Sequence, residues 1–347
     1  QRYMISSSSP KRLSHRIVVK LLFATVAWFS LSIESFANEI GDTSFYENKS
    51  LTFIVGTRTG GGYDLYARLI AKHLTKHLPV NSITVKNIPG AGHLIGLLEL
   101  YHAKPDGLTI GSVNNGILYN QKTVDVDLNQ LNWIGKATAD ARVFVASSSS
   151  GITSVQELLE QQQEVLLASP GILTASYQET LLIAHILNAK FKTVHGFTKG
   201  KAELAVTRGD VTATYGSATS LYDLIAAKLA IPLFYIGPPP PGFPDAPQLG
   251  TLVHDPEKRN IIEQIEAINQ LGKLIAAPPG VEIHKIEQLR TAFMKTLSDP
   301  VFLQEAQQFK LDPVPMGGSD VADQIKSFNK QSERFSTLLS SKVGSGN

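Results

Sequence analysis

Short β-branched runs alternate along this chain with longer stretches in which apolar residues recur every three or four positions. The run "LTFIV" at 51–55 is followed by "GTRTGGG" and by an amphipathic stretch at 64–78. The same order recurs at 82–103 and, as a second series, from about 141 to 229. A β-branched run bounded by turn residues predicts a strand, and the 3.6-residue spacing predicts a helix. This alternation predicts an α/β fold with mainly parallel sheets.

Turns rich in glycine or small polar residues follow several of the predicted strands. "GTRTGGG" (56–62) stands between a strand and a helix, where backbone N–H groups point outward and no Cβ hinders a close approach. Loops after parallel strands gather at one edge of a sheet, and ligands bind at that edge. We therefore expect these turns to bind an anion.

A proline-rich segment, "PLFYIGPPPPGFPDAP" at 232–247, interrupts the second series. So many prolines disfavour a helix or a central strand, and we expect a stiff segment that crosses between two lobes. Helical stretches follow it. The predicted division is lobe 1 at residues 38–139 and 250–347, and lobe 2 at residues 140–249.

The beginning of the chain has the composition of an export signal. Basic residues precede 13 mostly apolar residues at 21–33, and "SFA" ends at Ala37. This order predicts a cleaved signal peptide over residues 1–37 and an exported mature protein. The apolar stretch falls short of the roughly 20 residues that span a bilayer.

Composition and charge restrict the possible partners. Of 347 residues 43% are hydrophobic and 18% charged, as in globular proteins, and there is no cysteine to form a disulfide. The predicted signal holds five of the 32 Lys and Arg and one of the 30 acidic residues, so the remainder has a formal net charge of about −2. Since no basic run remains, we expect no nucleic-acid partner.

Further motifs give the chain a family resemblance by their order and spacing. They are "GGGYDLYARL" at 60–69, "N-x-P-G-A-G" at 87–92, "PDG" at 105–107, "SPG" at 169–171, "GDV" at 209–211 and "DPVFLQEAQQFKLDPVPMGG" at 299–318. With these motifs the mature chain resembles the extracytoplasmic solute receptors of tripartite tricarboxylate transporters, the Bug or TctC-like family.

The resemblance implies a type II periplasmic-binding-protein fold, in which two α/β lobes are joined by crossing strands. It implies a small carboxylate-bearing ligand held in the cleft between the lobes by backbone amides and hydroxyls of turns. Membrane transporter subunits would be the partners of a monomeric receptor that needs no cofactor and catalyses no reaction.

The candidate ligand-binding residues lie on turns of both lobes. They are Thr57, Arg58, Gly60, Gly61, Gly62 and Tyr63 on the first turn, Gly90, Ala91, Gly92 and His93 on the second, Asn114 and Asn115 on the third, and Ser169, Thr174, Ser176, Phe197 and Ser217 in lobe 2. The guanidinium of Arg58 could clamp a carboxylate with two hydrogen bonds. Asp64 is expected to cap the helix that follows the first turn.

Two other functions stay open on the sequence alone. A hydrolase or isomerase acting on a small organic acid would need a nucleophile with a matched base, and no local motif supplies one. A receptor that signals to a sensor partner would share every feature above. His73 and His77 lie four apart on a helix without a third ligand, so we predict a solvated helix face and no metal site.

Overall fold

The computed structural model describes residues 45–121, 124–139, 141–197, 200–240 and 246–343. The predicted signal peptide lies outside these ranges. The strands are β1 (Ser50–Val55), β2 (Ser82–Asn87), β3 (Thr109–Asn114), β4 (Asn132–Lys136), β5 (Arg142–Ser147), β6 (Val165–Ser169), β7 (Phe191–His195), β8 (Ala213–Ser217), β9 (Ala230–Ile236), β10 (Lys273–Ala277) and β11 (Met316–Gly317). The α-helices are α1 (Gly62–Leu74), α2 (Leu94–Tyr101), α3 (Val155–Leu159), α4 (Ala175–Leu187), α5 (Lys201–Arg208), α6 (Ala218–Ala226), α7 (Leu249–Leu252), α8 (Pro256–Leu271), α9 (Ile283–Ser298), α10 (Pro300–Gln308) and α11 (Gly318–Val343).

The strands form two sheets, and the predicted α/β class is confirmed. The first sheet has the order β11-β4-β10-β3-β1-β2, and the second has the order β7-β6-β8-β5-β9. The chain passes from the first sheet to the second between Lys136 and Arg142, and it returns between Ile236 and Lys273. The lobe boundaries given above stay a prediction.

Strand pairing is mixed rather than mainly parallel. β1 is parallel to β2 and β3, and β6 is parallel to β7 and β8. β10 is antiparallel to β3 and β4, and β5 is antiparallel to β8 and β9. β5 follows the first passage between the sheets and β10 follows the second. Each of them enters its sheet in the direction opposite to its neighbouring strands. A β-branched run reveals a strand but not its direction.

The proline-rich segment begins as a strand, which the sequence analysis did not predict. β9 includes Pro232 and lies at the edge of the second sheet. An edge strand has a neighbour on one side only, so a missing N–H is tolerated there. The pairing with β5 shifts register between Phe144 and Val145, opposite this proline.

Two helices begin at Asp-Pro sequences for the same local reason. The side chain of Asp255 accepts hydrogen bonds from the N–H groups of the first turn of α8, and Asp299 accepts one at the start of α10. Proline at the next position lacks an N–H that would have no partner there, and its φ already suits a helix.

One apolar cluster is shared by the two sheets. It includes Ile54 and Trp133 of the first sheet and Phe144 and Tyr215 of the second, and the buried face of α8 packs into it. Within the described ranges, no helix combines the length and the apolarity that crossing a membrane requires.

His73 of α1 is not on a solvated face, so that prediction is wrong for it, and His77 lies beyond the end of α1 and is only partly exposed. His73 is 1% exposed, and its Nε2 lies 2.8 Å from Glu305 of α10. His77 lies 3.0 Å from Asp299 in the same way. Residues far apart in sequence supply both partners, so no local pattern indicates them. Among the described residues no group of three metal-ligating side chains occurs.

The acids of these pairs should make the fold sensitive to low pH. Hydrogen bonds lower the pKa of both carboxyl groups. The larger contribution at Asp299 comes from the Val301 N–H and the smaller from His77. At Glu305 the larger contribution comes from Lys72 and the smaller from His73. A lowered folded-state pKa stabilises the fold above the unfolded-state pKa of about 4, and this stabilisation is lost as pH falls through the folded-state value.

We therefore expect the double variant Asp299→Asn, Glu305→Gln to be less stable at neutral pH and to lose less stability on acidification than the parent. Asparagine preserves the helix cap, so the charges are the main change. Urea unfolding at several pH values measures this, with the exposed Glu164→Gln as control. Equal acid dependence in parent and double variant would contradict the assignment.

Candidate functional site

Asp64 closes the glycine-rich turn between β1 and α1. Its carboxylate accepts hydrogen bonds from the N–H of Gly60 (2.8 Å) and from Asn87 (2.9 Å), and it pairs with Arg68 at 2.9 Å. Burial raises the pKa of this carboxyl, but the bonds from Arg68, Gly60 and Asn87 outweigh burial and lower it. Asp64 is therefore a charged residue in the first turn of α1, as its predicted interaction with the helix dipole requires, but the N-cap residue is Gly61 and not Asp64. The Gly60 N–H already has Asp64 as its acceptor.

The next two amides of this turn have a different environment. The N–H groups of Gly61 and Gly62 donate to no described residue. They stand at the N-terminus of α1, where the helix dipole favours an anion. Arg58 is exposed and makes no hydrogen bond or ion pair with the part of the chain that the structure describes.

The turn after β2 is left-handed. Gly90 has φ 145°, and Ala91, Gly92 and His93 have φ values of 44°, 62° and 80°. Residues with a Cβ pay roughly 1–2 kcal/mol for such a conformation. Strain of this kind is often found where a backbone is held for binding.

Asn114, at the end of β3, connects this turn to α1. Its Oδ1 accepts from the N–H of Gly116 (2.7 Å), which fixes the amide, and its Nδ2 donates to the Tyr63 hydroxyl at 2.9 Å. The same Nδ2 lies 3.4 Å from His93 Nε2, so that nitrogen accepts and the neutral ring carries its proton on Nδ1.

His93 is neutral at physiological pH. Burial, and to a smaller extent the charge of Lys273, lower the pKa of its imidazole to about 4. Its Nδ1 is buried and donates to no described residue. A buried donor without a partner costs about 1–3 kcal/mol, so it marks a place where an acceptor would be stabilised.

Loops of the second sheet approach these turns. A Cβ added to Gly92 would lie 3.0 Å from the carbonyl of Leu173, and one added to Gly116 would lie 2.9 Å from the N of Ala175. The turn at 91–93, Asn114 and Leu173 line a small cavity, about the size of one water molecule. The loop after β6 therefore touches the turns that follow β2 and β3.

The predicted residues of the second sheet differ in what they contact. The Ser169 hydroxyl is buried and has no described partner, whereas Thr174 caps α4 by accepting from the N–H of Tyr177. Phe197 is half-buried and packs against the apolar cluster that includes residues of β5 and α5, and its N–H donates to the Ser169 carbonyl. Ser217 precedes α6 without capping it by a side-chain bond.

In the first sheet, Asn115 points away from the turns. It is 1% exposed, and its Nδ2 donates to the carbonyl of Ile268 in α8. Thr57 carries a buried hydroxyl without a described partner. The structure thus brings together the backbone of 91–93, Asn114, Tyr63 and the loop after β6, while Arg58 stays outside this group.

A buried ion pair near this edge was not predicted. Arg142, at the start of β5, pairs with Glu179 of α4 at 3.1 Å and donates to the Ser176 hydroxyl at 2.6 Å. Glu179 also accepts from Tyr119, which follows β3, and this bond joins the two sheets. Burial, and then the charge of Glu179, raise the pKa of Tyr119. The only signal in the sequence is one charge within an otherwise apolar strand.

Comparisons with known proteins agree with this architecture. Residues 66–227 match the family model described as the Tripartite tricarboxylate transporter family receptor. The "UPF0065 protein in gbd 5'region" of Cupriavidus necator is 21% identical over 288 residues, which is 80% of this chain and 83% of that protein.

Two solved structures show the fold. The periplasmic binding protein BugD superposes with a TM-score of 0.69 at 18% identity, over 86% of this chain and 99% of that one. MatC of Rhodopseudomonas palustris, solved with bound malate, gives a TM-score of 0.67 at 16% identity, over 84% of this chain and 99% of that one. The predicted fold class and family resemblance are confirmed.

Gly92 provides a test of the contact between the loops. We expect Gly92→Ala to destabilise the protein by more than the roughly 1–2 kcal/mol of its left-handed φ, because the new Cβ also meets the Leu173 carbonyl. Gly151→Ala is the matched control, since Gly151 has φ 76° and nothing within 4 Å of an added Cβ. Urea unfolding compares the two variants. Equal losses of stability would show that the loops do not touch in solution.

Proposed function

We propose that this chain, whose residues 66–227 match the model of the tripartite tricarboxylate transporter family receptor, is a periplasmic receptor that binds a small molecule carrying a carboxylate. The ligand would lie between the turns of the first sheet and the loop after β6. Receptor and ligand would then dock on membrane transporter subunits, with the receptor as a monomer.

One observation carries this proposal. Three buried donors lie at the ends of strands from both sheets and have no described partner: the hydroxyls of Thr57 and Ser169 and the Nδ1–H of His93. Buried polar groups are nearly always hydrogen-bonded in proteins, so an external acceptor is expected at this edge. Carboxylate oxygens accept several hydrogen bonds and suit the unused amides of Gly61 and Gly62 as well.

Binding requires the loops to separate and close again. The small cavity between Gly92 and Leu173 leaves no room for a dicarboxylate while those loops touch. We propose that the two lobes predicted above open at their boundaries, near residues 139–140 and 249–250, and close on the ligand. Selective binding coupled to this closure needs no catalytic step. The predicted residues on the turns remain the proposed ligand contacts, except Asn115, whose side chain is buried and bonded to the Ile268 carbonyl.

The first prediction from this proposed function is that the protein binds carboxylates. Malate, succinate, glutarate and adipate should each be tested by thermal shift and calorimetry beside their uncharged diamides. A bound dicarboxylate at 100 times its dissociation constant should stabilise the fold by about 2.7 kcal/mol, and its diamide should not. If the dicarboxylates and diamides shift the unfolding temperature equally, or none of them does, the proposed ligand class is wrong.

The second prediction concerns the contribution of Arg58 to ligand binding when the two lobes are closed. If it closes over the ligand as a bidentate clamp, Arg58→Ala should weaken binding of the best dicarboxylate by more than about thirtyfold, with Arg58→Lys intermediate. If it stays at the rim, the loss should be within about fivefold. Calorimetry on folded variants distinguishes the two, and the second result would exclude Arg58 from the proposed contacts.

A further inference from the structure

Lys273 is a buried cation beside the candidate site. It is the first residue of β10 and lies opposite Asn114 in the ladder with β3, so it stands at the edge of the first sheet where the turns gather. It is 9% exposed. Burying an ammonium group is unfavourable unless an opposite charge or hydrogen bonds compensate for the lost water.

Among the described residues, only the faces of two aromatic rings interact favourably with the charge of Lys273. The Nζ atom lies 5.2 Å from the ring centre of Tyr63 and 5.5 Å from that of Tyr66. Cation–π contacts of this kind compensate for only part of the hydration that a buried ammonium group loses. No carboxylate of the described chain pairs with Lys273, and its ammonium group donates to no described residue. Asp64, the acid of the adjacent turn, is already paired with Arg68.

The side chain of Lys273 runs along the N-terminus of α1. A Cβ added to Gly62 would lie 3.6 Å from its Cε. The unused amides of Gly61 and Gly62, the partial positive charge of the helix end and the ammonium of Lys273 are therefore neighbours. Each of them favours an anion, and no anion of the described chain is bound to them.

We propose that Lys273 is the main cationic contact of the ligand, pairing with a carboxylate that the N-terminus of α1 also binds. This inference rests on the function proposed above and adds the residue that makes the site selective for an anion. Arg58, which is exposed, contributes less. Tyr63 and Tyr66 hold the ammonium in place until the ligand arrives.

The test is the ratio of affinities for a carboxylate and its uncharged analogue. Calorimetry with malate and malamide is performed on the parent and on Lys273→Met, which keeps much of the side-chain volume and removes the charge. We expect the variant to bind malate more than about thirtyfold more weakly, because one partner of a buried charge pair is lost. Its affinity for malamide should change little, so the ratio falls. Lys273→Arg should retain a preference for malate.

Lys136→Met is the matched control. Lys136 is a buried lysine on the neighbouring strand β4, but its Nζ donates to the carbonyl of Gln270 at 2.9 Å. This variant should lose stability and keep the parent's ratio. Unfolding midpoints without ligand show whether each variant is folded.

The outcomes separate the two proposals. If the parent binds malate and folded Lys273→Met binds it within about threefold, the role of Lys273 is wrong and the receptor function stands. If the parent binds neither malate nor any other dicarboxylate, the proposed function fails and this inference fails with it. If only Lys273→Met misfolds, an unchanged malate-to-malamide ratio in Lys273→Gln would also overturn the proposal.

Discussion

The buried ion pair of Arg142 and Glu179 fixes the geometry on which the site depends. Arg142 begins the second sheet directly after the passage at 137–141, and its guanidinium also lies over the ring of Tyr215, 5.1 Å from the ring centre. Glu179 receives the Tyr119 hydroxyl from the other sheet. Removing one partner of such a pair generally costs about 3–5 kcal/mol, because the other charge stays buried. The loop after β6 is thereby held opposite the turns after β2 and β3.

Charge is distributed unequally around that geometry. On one side of the first turn, Asp64 is satisfied by an amide, an asparagine and Arg68. On the other side, Lys273 and the end of α1 have no negative partner among the described residues. His93 stays neutral because of burial, so it offers one N–H without adding charge. The region thus has a surplus of hydrogen-bond donors and the buried cation of Lys273, and both complement a carboxylate.

Strain and unsatisfied donors occur in the same few residues. The left-handed conformations of Ala91 and His93 are unfavourable, and the His93 Nδ1 has no described partner. Contacts with Asn114 and with the loop at Leu173 keep this turn in place. Both costs are offset if a ligand accepts from the donors that the strained backbone presents.

The sequence by itself determined the elements and the turns between them. β1 covers the predicted run at 51–55, and α1 begins at the end of the glycine-rich turn, where the amphipathic spacing indicates a helix. It also identified the strand-end turns, because glycine permits backbone conformations that other residues avoid and proline fixes its own φ. Only the tertiary structure decided the direction of the strands, the inward orientation of Asn115 and the pairing of His73 with Glu305. It alone placed Lys273 beside α1 and Arg142 against Glu179. These contacts join residues that are far apart in the chain. The spacing of apolar residues along the sequence predicts a helix or a strand, but it does not indicate which distant residue a side chain will contact after folding.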